Sequence, residues 1–237
     1  MLLEIHNILK TFGGLAALSN VSLSMEEGEV LGLIGPNGSG KTTLFNVVSG
    51  FYHPDRGQVI FDGQDITGLK PHKISHLGLV RTFQIPKPLP ELTVLENIRV
   101  AAFMRNKGDR AATEAAQRVM ERIGLKQIGH VPGHKLTYGQ KKMLELGRAL
   151  ATKPRLLLLD EIMAGLNSAE TMELIELLRT IIKEGQNIIL IEHNMLAVLA
   201  IAQRIIVLNF GMKIADGSPD GVIKSDAVIE AYLGRED

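Results

Sequence analysis

Cysteine is absent from this 237-residue chain, which excludes disulfide frameworks, thiol catalysis and cysteine metal sites. An excess of either charge is absent as well, because 26 Lys and Arg balance 26 Asp and Glu. No general basic field exists to draw nucleic acid, so no nucleic-acid partner is expected and any polyanion must be held locally. Long hydrophobic runs are also missing. The longest uncharged apolar stretch, about Met195 to Ala202, is far shorter than a bilayer span. The opening Met1-Leu2-Leu3-Glu4 lacks the basic and apolar regions of a signal peptide. The chain is therefore expected to be soluble and to reach a membrane only through a partner. Repeats and low-complexity tracts are not seen.

What is present suits one large α/β domain, alone or with a helical insertion, since 45% of residues are hydrophobic. Strand-like runs cover Leu2 to Ile8, Val21 to Met25 and Val30 to Ile34, the last running into a glycine-rich loop and the helix-forming Lys41 to Ser49. From about Thr93 to Ala151 the pattern turns helical, with Ala112, Ala115, Ala116, Val119, Met120 and Ile123 on one face. Past Pro154 the α/β rhythm returns. Leu156 to Leu159 reads as a buried strand, Leu174, Ile175, Leu178 and Ile182 as the inner face of a helix, and Asn187 to Ile191 as another strand. Ile205 to Leu208 and Lys213 to Ala215 read as later strands around a turn at Gly211, before a short helical tail. Alternation of this kind favours a mainly parallel, covered sheet. The division expected is an α/β core over 1–84 and 151–237, with a helical subdomain over 85–150.

Gly35, Pro36, Asn37, Gly38, Ser39, Gly40, Lys41 and Thr42 match the phosphate-binding P-loop, Gly-x-x-x-x-Gly-Lys-Thr, and Thr43 continues it. A nest of backbone N–H groups and a helix N-terminus face a polyphosphate there, with Lys41 on the β- and γ-phosphates and the Thr42 hydroxyl on Mg²⁺. Leu156 to Leu159 lead into Asp160 and Glu161. Alone these are a strand with a charged exit; after a P-loop, Asp160 falls on the magnesium side and Glu161 is placed to position or deprotonate water.

Leu136, Thr137, Tyr138, Gly139 and Gln140 narrow the class further, because they resemble the Leu-Ser-Gly-Gly-Gln signature of ABC ATPases, in the tyrosine-bearing form of the amino-acid importer branch. The resemblance covers essentially the whole chain and is closest to ATP-binding subunits of branched-chain amino acid transporters. Phe12 to Leu15, Arg81 to Gln84, Leu92 to Asn97, Ala164 to Asn167 and Val228 to Gly234 carry it. It implies an ABC ATPase fold: a P-loop core with a mainly parallel sheet, an N-terminal antiparallel β part and an inserted helical subdomain. It makes Gln84 the Q-loop residue, at the end of a strand Leu79 to Phe83, and His193 the switch histidine. Phe12 becomes the aromatic that stacks on adenine, although a core phenylalanine is the other reading of that residue. Two departures stand out: Ile162 replaces the proline after the catalytic glutamate, and Thr137 replaces the signature serine while keeping its hydroxyl.

The mechanism implied is a pair of chains sandwiching two ATP molecules, each bound by the P-loop of one chain and by Thr137, Tyr138, Gly139 and Gln140 of the other. Asp160, Thr42 and Gln84 attend the metal, Glu161 the water and His193 the γ-phosphate. The partners implied are a second ATP-binding subunit, identical or paralogous, two transmembrane permease subunits and, indirectly, a substrate-binding protein, all at the cytoplasmic face of the cell membrane. Systems for urea or short amides share much of the pattern; a lipopolysaccharide-type exporter and a soluble, non-transport ABC ATPase fit it less well. His72 and His76 are taken as a solvated helical face rather than a metal site, and Lys141 and Lys142 as the solvent face of the signature helix.

Overall fold

The computed structural model describes residues 1–233, so Gly234 lies outside the described residues. Along the chain run β1 (Leu3–Phe12), β2 (Leu15–Met25), β3 (Val30–Ile34), α1 (Lys41–Val48), β4 (Arg56–Phe61), β5 (Gln64–Asp65), α2 (Pro71–Leu77) and β6 (Leu79–Arg81). Then come α3 (Val94–Ala102), α4 (Asp109–Arg122), α5 (Tyr138–Ala151), β7 (Leu156–Asp160) and α6 (Ser168–Lys183). The chain closes with β8 (Asn187–Ile191), α7 (Met195–Ile201), β9 (Arg204–Asn209), β10 (Met212–Gly217), α8 (Pro219–Ile223) and α9 (Asp226–Leu233). These elements form two compact units, one of Met1–Leu79 with the segment from Asn187 onward, the other of Val80–Gln186.

The first unit holds an antiparallel sheet in the order β2-β1-β4-β5. β1 and β2 are longer than the alternation suggests, running from Leu3 to Phe12 and from Leu15 rather than from Val21. The reason is local. Asn7 takes φ 50°, its N–H donates to Ser22 Oγ at 2.8 Å, and the register shifts between Ile5 and Ile8. A bulge of this kind breaks the two-residue period without ending the strand. β4 escapes sequence reading because it turns inward only at Val59 and Phe61. The same unit carries β3 paired parallel to both β8 and β9, with β10 antiparallel to β9. Every residue of β3 and β8 is buried, as strands covered on both faces must be. Arg204 at the start of β9 ties strands together, donating to Asp216 at 2.6 and 2.9 Å, to Glu29 at 3.2 Å and to the Ser24 carbonyl at 3.1 Å. Burial would raise the Asp216 carboxyl, yet the hydrogen bonds from Arg204 and Lys213 bring it below its ordinary value.

In the second unit β7 is buried along its whole length and lies beside β6, which Thr82 extends by donating its N–H to the Leu158 carbonyl at 2.9 Å. β6 ends at Arg81, so the expected strand Leu79 to Phe83 is cut short, and Phe83 is exposed. α4 buries Ala112, Ala115, Ala116 and Met120, and Ile123 at its C-cap, while Val119 is half-buried. α6 buries Leu174, Ile175, Leu178 and Ile181. Ile182, expected inward, is only half-buried: from Leu174 the helical spacing i, i+4, i+7 lands on Ile181. No helix among the described residues is long and apolar enough to cross a membrane.

A buried amide holds the entrance to the helices. Thr93 caps α3 in a capping box with Glu96, and Asn97, with no exposed surface, donates to the carbonyls of Leu89, Leu92 and Thr93 at 2.9–3.1 Å while accepting from the Leu89 N–H at 2.8 Å. Hence Leu92 to Asn97 serves as a folding motif. Asn97→Ala leaves the Leu89 N–H without this acceptor and removes one donor from each of three carbonyls, and is expected to cost about 1–3 kcal/mol, read as a lower urea midpoint with unchanged m-value.

Candidate functional site

The P-loop begins where β3 leaves the sheet. Gly40 takes φ 104° at the N-cap of α1, and a Cβ there would lie 2.6 Å from the Ala17 carbonyl, so only glycine allows this approach. No side chain caps α1 and no acidic residue lies in its first turn, which leaves the amides and the positive end of the helix facing outward. The buried Lys41 curls over its own loop, donating to the carbonyls of Gly35 at 2.7 Å and Pro36 at 2.9 Å and to Ser39 Oγ at 3.4 Å. Asn37, Gly38 and Thr42 are exposed, Thr43 is half-buried and Ser39 is buried. The arrangement is a cradle for an anion.

Phe12 ends β1 with 45% of its surface exposed, so it is not a core phenylalanine. Its ring meets Tyr52 edge to face at 5.2 Å, and Lys10 Nζ stands 5.4 Å from its centroid. Asp55 fixes this strand end by accepting from Lys10 Nζ at 2.9 Å and from the Thr11 N–H and hydroxyl, both at 2.7 Å. His193 is exposed, just beyond β8 and the buried Glu192, and the following Asn194 caps α7. His72 and His76 are both exposed on α2, with His76 Nδ1 on the His72 carbonyl at 2.7 Å.

The second unit gathers Asp160, Glu161 and Gln84. Asp160 is the buried last residue of β7, and its Oδ2 accepts from Arg81 Nη2 at 2.6 Å, with both side chains about 5% exposed. Glu161 follows at φ 47°, a left-handed conformation that turns its side chain out of the strand direction. Its Oε2 accepts from Gln84 Nε2 at 2.5 Å. Gln84 and the strand-end carboxylate are therefore direct partners. Ile162, in place of proline, is buried.

The signature opens α5. Thr137 is its N-cap, with Oγ1 accepting from the Gln140 N–H at 3.3 Å while the Thr137 N–H donates to Gln140 Oε1 at 3.0 Å. Gly139 lets Glu170 of α6 come close, since a Cβ on it would lie 2.4 Å from Glu170 Oε1. Glu170 in turn forms a capping box with Asn167, the last residue of Ala164 to Asn167. Tyr138 is 42% exposed.

Three residues of α5 were not expected at the site. Lys142, assigned above to solvent, is 1% exposed, and its Nζ donates to the carbonyls of Gln84 at 2.6 Å and Glu161 at 2.8 Å. Glu145 accepts from the N–H groups of Phe83 at 2.9 Å and Lys87 at 3.2 Å, and Arg148 Nη1 donates to the Lys87 carbonyl at 2.9 Å. Their i, i+3, i+6 spacing places them on one face, a signal readable beforehand only if a charged stripe is taken to bind backbone rather than water. Lys141 is half-buried. Arg81 was quoted only as part of a motif; its pairing with Asp160 had no sequence signal.

Comparison with known proteins follows the same lines. The family model described as "ABC transporter" matches residues 18–164, and that described as "Branched-chain amino acid ATP-binding cassette transporter" matches residues 212–237. The chain is 40% identical to the high-affinity branched-chain amino acid transport ATP-binding protein BraF of Pseudomonas aeruginosa, over 99% of this chain and 98% of that protein. It is equally identical, with the same coverage, to the protein LivG of Escherichia coli K12, which bears the same description. Among solved structures, a nucleotide-free ATP-binding cassette from an ABC transporter superposes with TM-score 0.89 at 34% identity, covering 99% of both chains. A cassette in its ADP conformation superposes with TM-score 0.88 at the same identity and coverage.

The support beneath Phe12 is testable by titration. Hydrogen bonds from Lys10 and Thr11 hold the Asp55 carboxyl down to about 2 from 3.8. A depressed pKa contributes stability that is complete above the unfolded value and is lost as pH falls through the folded one. Carbon-13 NMR of Asp55 should therefore inflect near 2; an inflection near 3.8 would show that the tie does not form.

Proposed function

This chain belongs to the ABC transporter family, and from that premise we propose that it is the ATP-hydrolysing subunit of an importer, working head-to-tail with a second ATP-binding chain, identical or paralogous. The observation that carries the hydrolytic reading is the 2.5 Å hydrogen bond between Gln84 and the Glu161 carboxylate, at a residue held in left-handed backbone beyond a buried strand. Backbone strain of that kind clusters at sites whose geometry serves a function.

ATP enters as substrate. The α1 amides from Lys41 to Thr43 and the Lys41 ammonium, exchanging its loop carbonyls for phosphate oxygens, hold the β- and γ-phosphates, while Phe12 stacks on the base. The Thr42 hydroxyl, the Asp160 carboxylate and the Gln84 amide oxygen would each offer magnesium an oxygen ligand of the kind it prefers, and the ion when bound would offset phosphate charge. Asp160 reaches that role by loosening from Arg81. Glu161, released from Gln84 Nε2, accepts a proton from the water that attacks the γ-phosphorus; the bond to the bridging oxygen breaks and ADP leaves. His193 contacts the γ-phosphate. From the other chain, Thr137, Tyr138, Gly139 and Gln140 complete the site, so it is whole only in the closed pair. The helical segment 85–150 and the loop after Gln84 pass the motion to two membrane permease subunits at the cytoplasmic face.

Branched-chain amino acids are the proposed cargo, brought by a substrate-binding protein, because both BraF and LivG are described by that transport and the C-terminal match carries the same description. Two measurements test these statements. Lys41→Ala should weaken ATP binding, whereas Glu161→Gln should keep it and lose hydrolysis; parental turnover in Glu161→Gln would refute the assigned carboxylate. With native permeases and binding protein in vesicles, ATP-dependent uptake of leucine, isoleucine and valine is expected. Uptake of urea or an amide without them would overturn the cargo alone.

A further inference from the structure

Lys142 is a buried cation that the mechanism above does not use. Its ammonium donates to main-chain acceptors that include the carbonyls of Gln84 and Glu161, and its nitrogen stands 5.6 Å from the centroid of the Tyr138 ring. Placing an ammonium where 1% of the residue is exposed carries a desolvation cost that an apolar side chain of similar length would avoid. The acceptors are telling. One belongs to the residue whose side chain grips the carboxylate, the other to the residue that bears it, so Gln84 and Glu161 are joined twice, through their side chains and through Lys142.

We infer that Lys142 is a positioning residue: it fixes the spacing of the Gln84 and Glu161 backbones and ties both to the helix that starts at the signature. The carbonyl it holds is that of a residue at φ 47°, so it restrains the one peptide of this segment that must not relax into strand geometry. Thr137 caps the same helix. Any shift of α5 when its signature end engages the partner's nucleotide therefore moves the backbone of this chain's own hydrolytic pair. Glu145 and Arg148 make the arrangement stiffer by holding the loop at Phe83 and Lys87 to the same face of α5. The inference rests on the reading of Glu161 as the hydrolytic carboxylate.

The test uses the full chain with Lys142→Met, Lys142→Arg and, as reference, Glu161→Gln, measuring steady-state kcat with Mg-ATP and the Kd of a fluorescent ATP analogue without turnover. In Lys142→Met kcat should fall about 10- to 100-fold while Kd stays within about twofold, the signature of a misplaced group rather than a lost binding contact. Lys142→Arg, which keeps charge and donors in a different geometry, should recover part of that loss. A parental kcat in Lys142→Met, a parallel loss of kcat and Kd, or an arginine variant no faster than the methionine one would overturn the inference. If Lys142→Met does not fold, the arginine variant decides: reduced kcat at unchanged Kd supports it and parental kcat removes it. Parental hydrolysis in Glu161→Gln would remove the carboxylate reading and this inference together. A dead Glu161→Gln beside a parental Lys142→Met would remove the inference alone.

Discussion

The left-handed backbone of Glu161 is the constraint around which the second unit is arranged. β7 is buried along its length, so a carboxylate continuing in strand geometry would point into the core or along the sheet. A single residue at φ 47° breaks that geometry, and such a conformation persists only where its surroundings over-determine it. Those surroundings can be named. The Gln84 side chain holds the carboxylate, Lys142 holds the carbonyl, and buried Ile162 anchors the chain on the far side without proline's fixed φ.

A second theme is that the family motifs are also helix starts. α3, α5 and α6 each begin with a capping box, built from Thr93 with Glu96, Thr137 with Gln140, and Asn167 with Glu170. Each motif therefore has a folding role that would hold without any ligand, and in Thr137 and Gln140 a binding role is laid over it. The hydroxyl and amide oxygen proposed to meet the partner's phosphate already accept backbone N–H groups within their own chain, Thr137 Oγ1 from Gln140 and Gln140 Oε1 from Thr137. Engagement is then an exchange of hydrogen bonds, in which geometry rather than bond count decides the outcome.

Much of this was legible in the sequence because motif spacing survives where periodicity fails. The P-loop, the Leu156 to Glu161 strand end and the signature could be placed from residue type and order, and the structure puts each at an element junction: the start of α1, the end of β7 and the start of α5. Local pattern was weaker wherever a bulge or a neighbour intervened. Asn7 hid the true length of β1, β4 had two inward positions to betray it, and Ile182 yielded to Ile181 by the geometry of one helical turn. Lys142 was misread for a deeper reason. Charged residues on helices normally face water, and only the tertiary approach of two backbone carbonyls makes a buried ammonium tolerable.

Gly139 has a consequence for how such sequences evolve. A side chain at this position would press on the Glu170 carboxylate of its own chain, 2.4 Å from where a Cβ would sit, and would push the end of that side chain aside whatever happens at the nucleotide. Selection on folding would therefore favour a small residue here, at the modest cost of a displaced carboxylate when it is lost, even in a descendant that had lost ATP turnover. A degenerate cassette could then keep a small signature residue as a trace of its packing, which makes that residue a weak witness to retained activity.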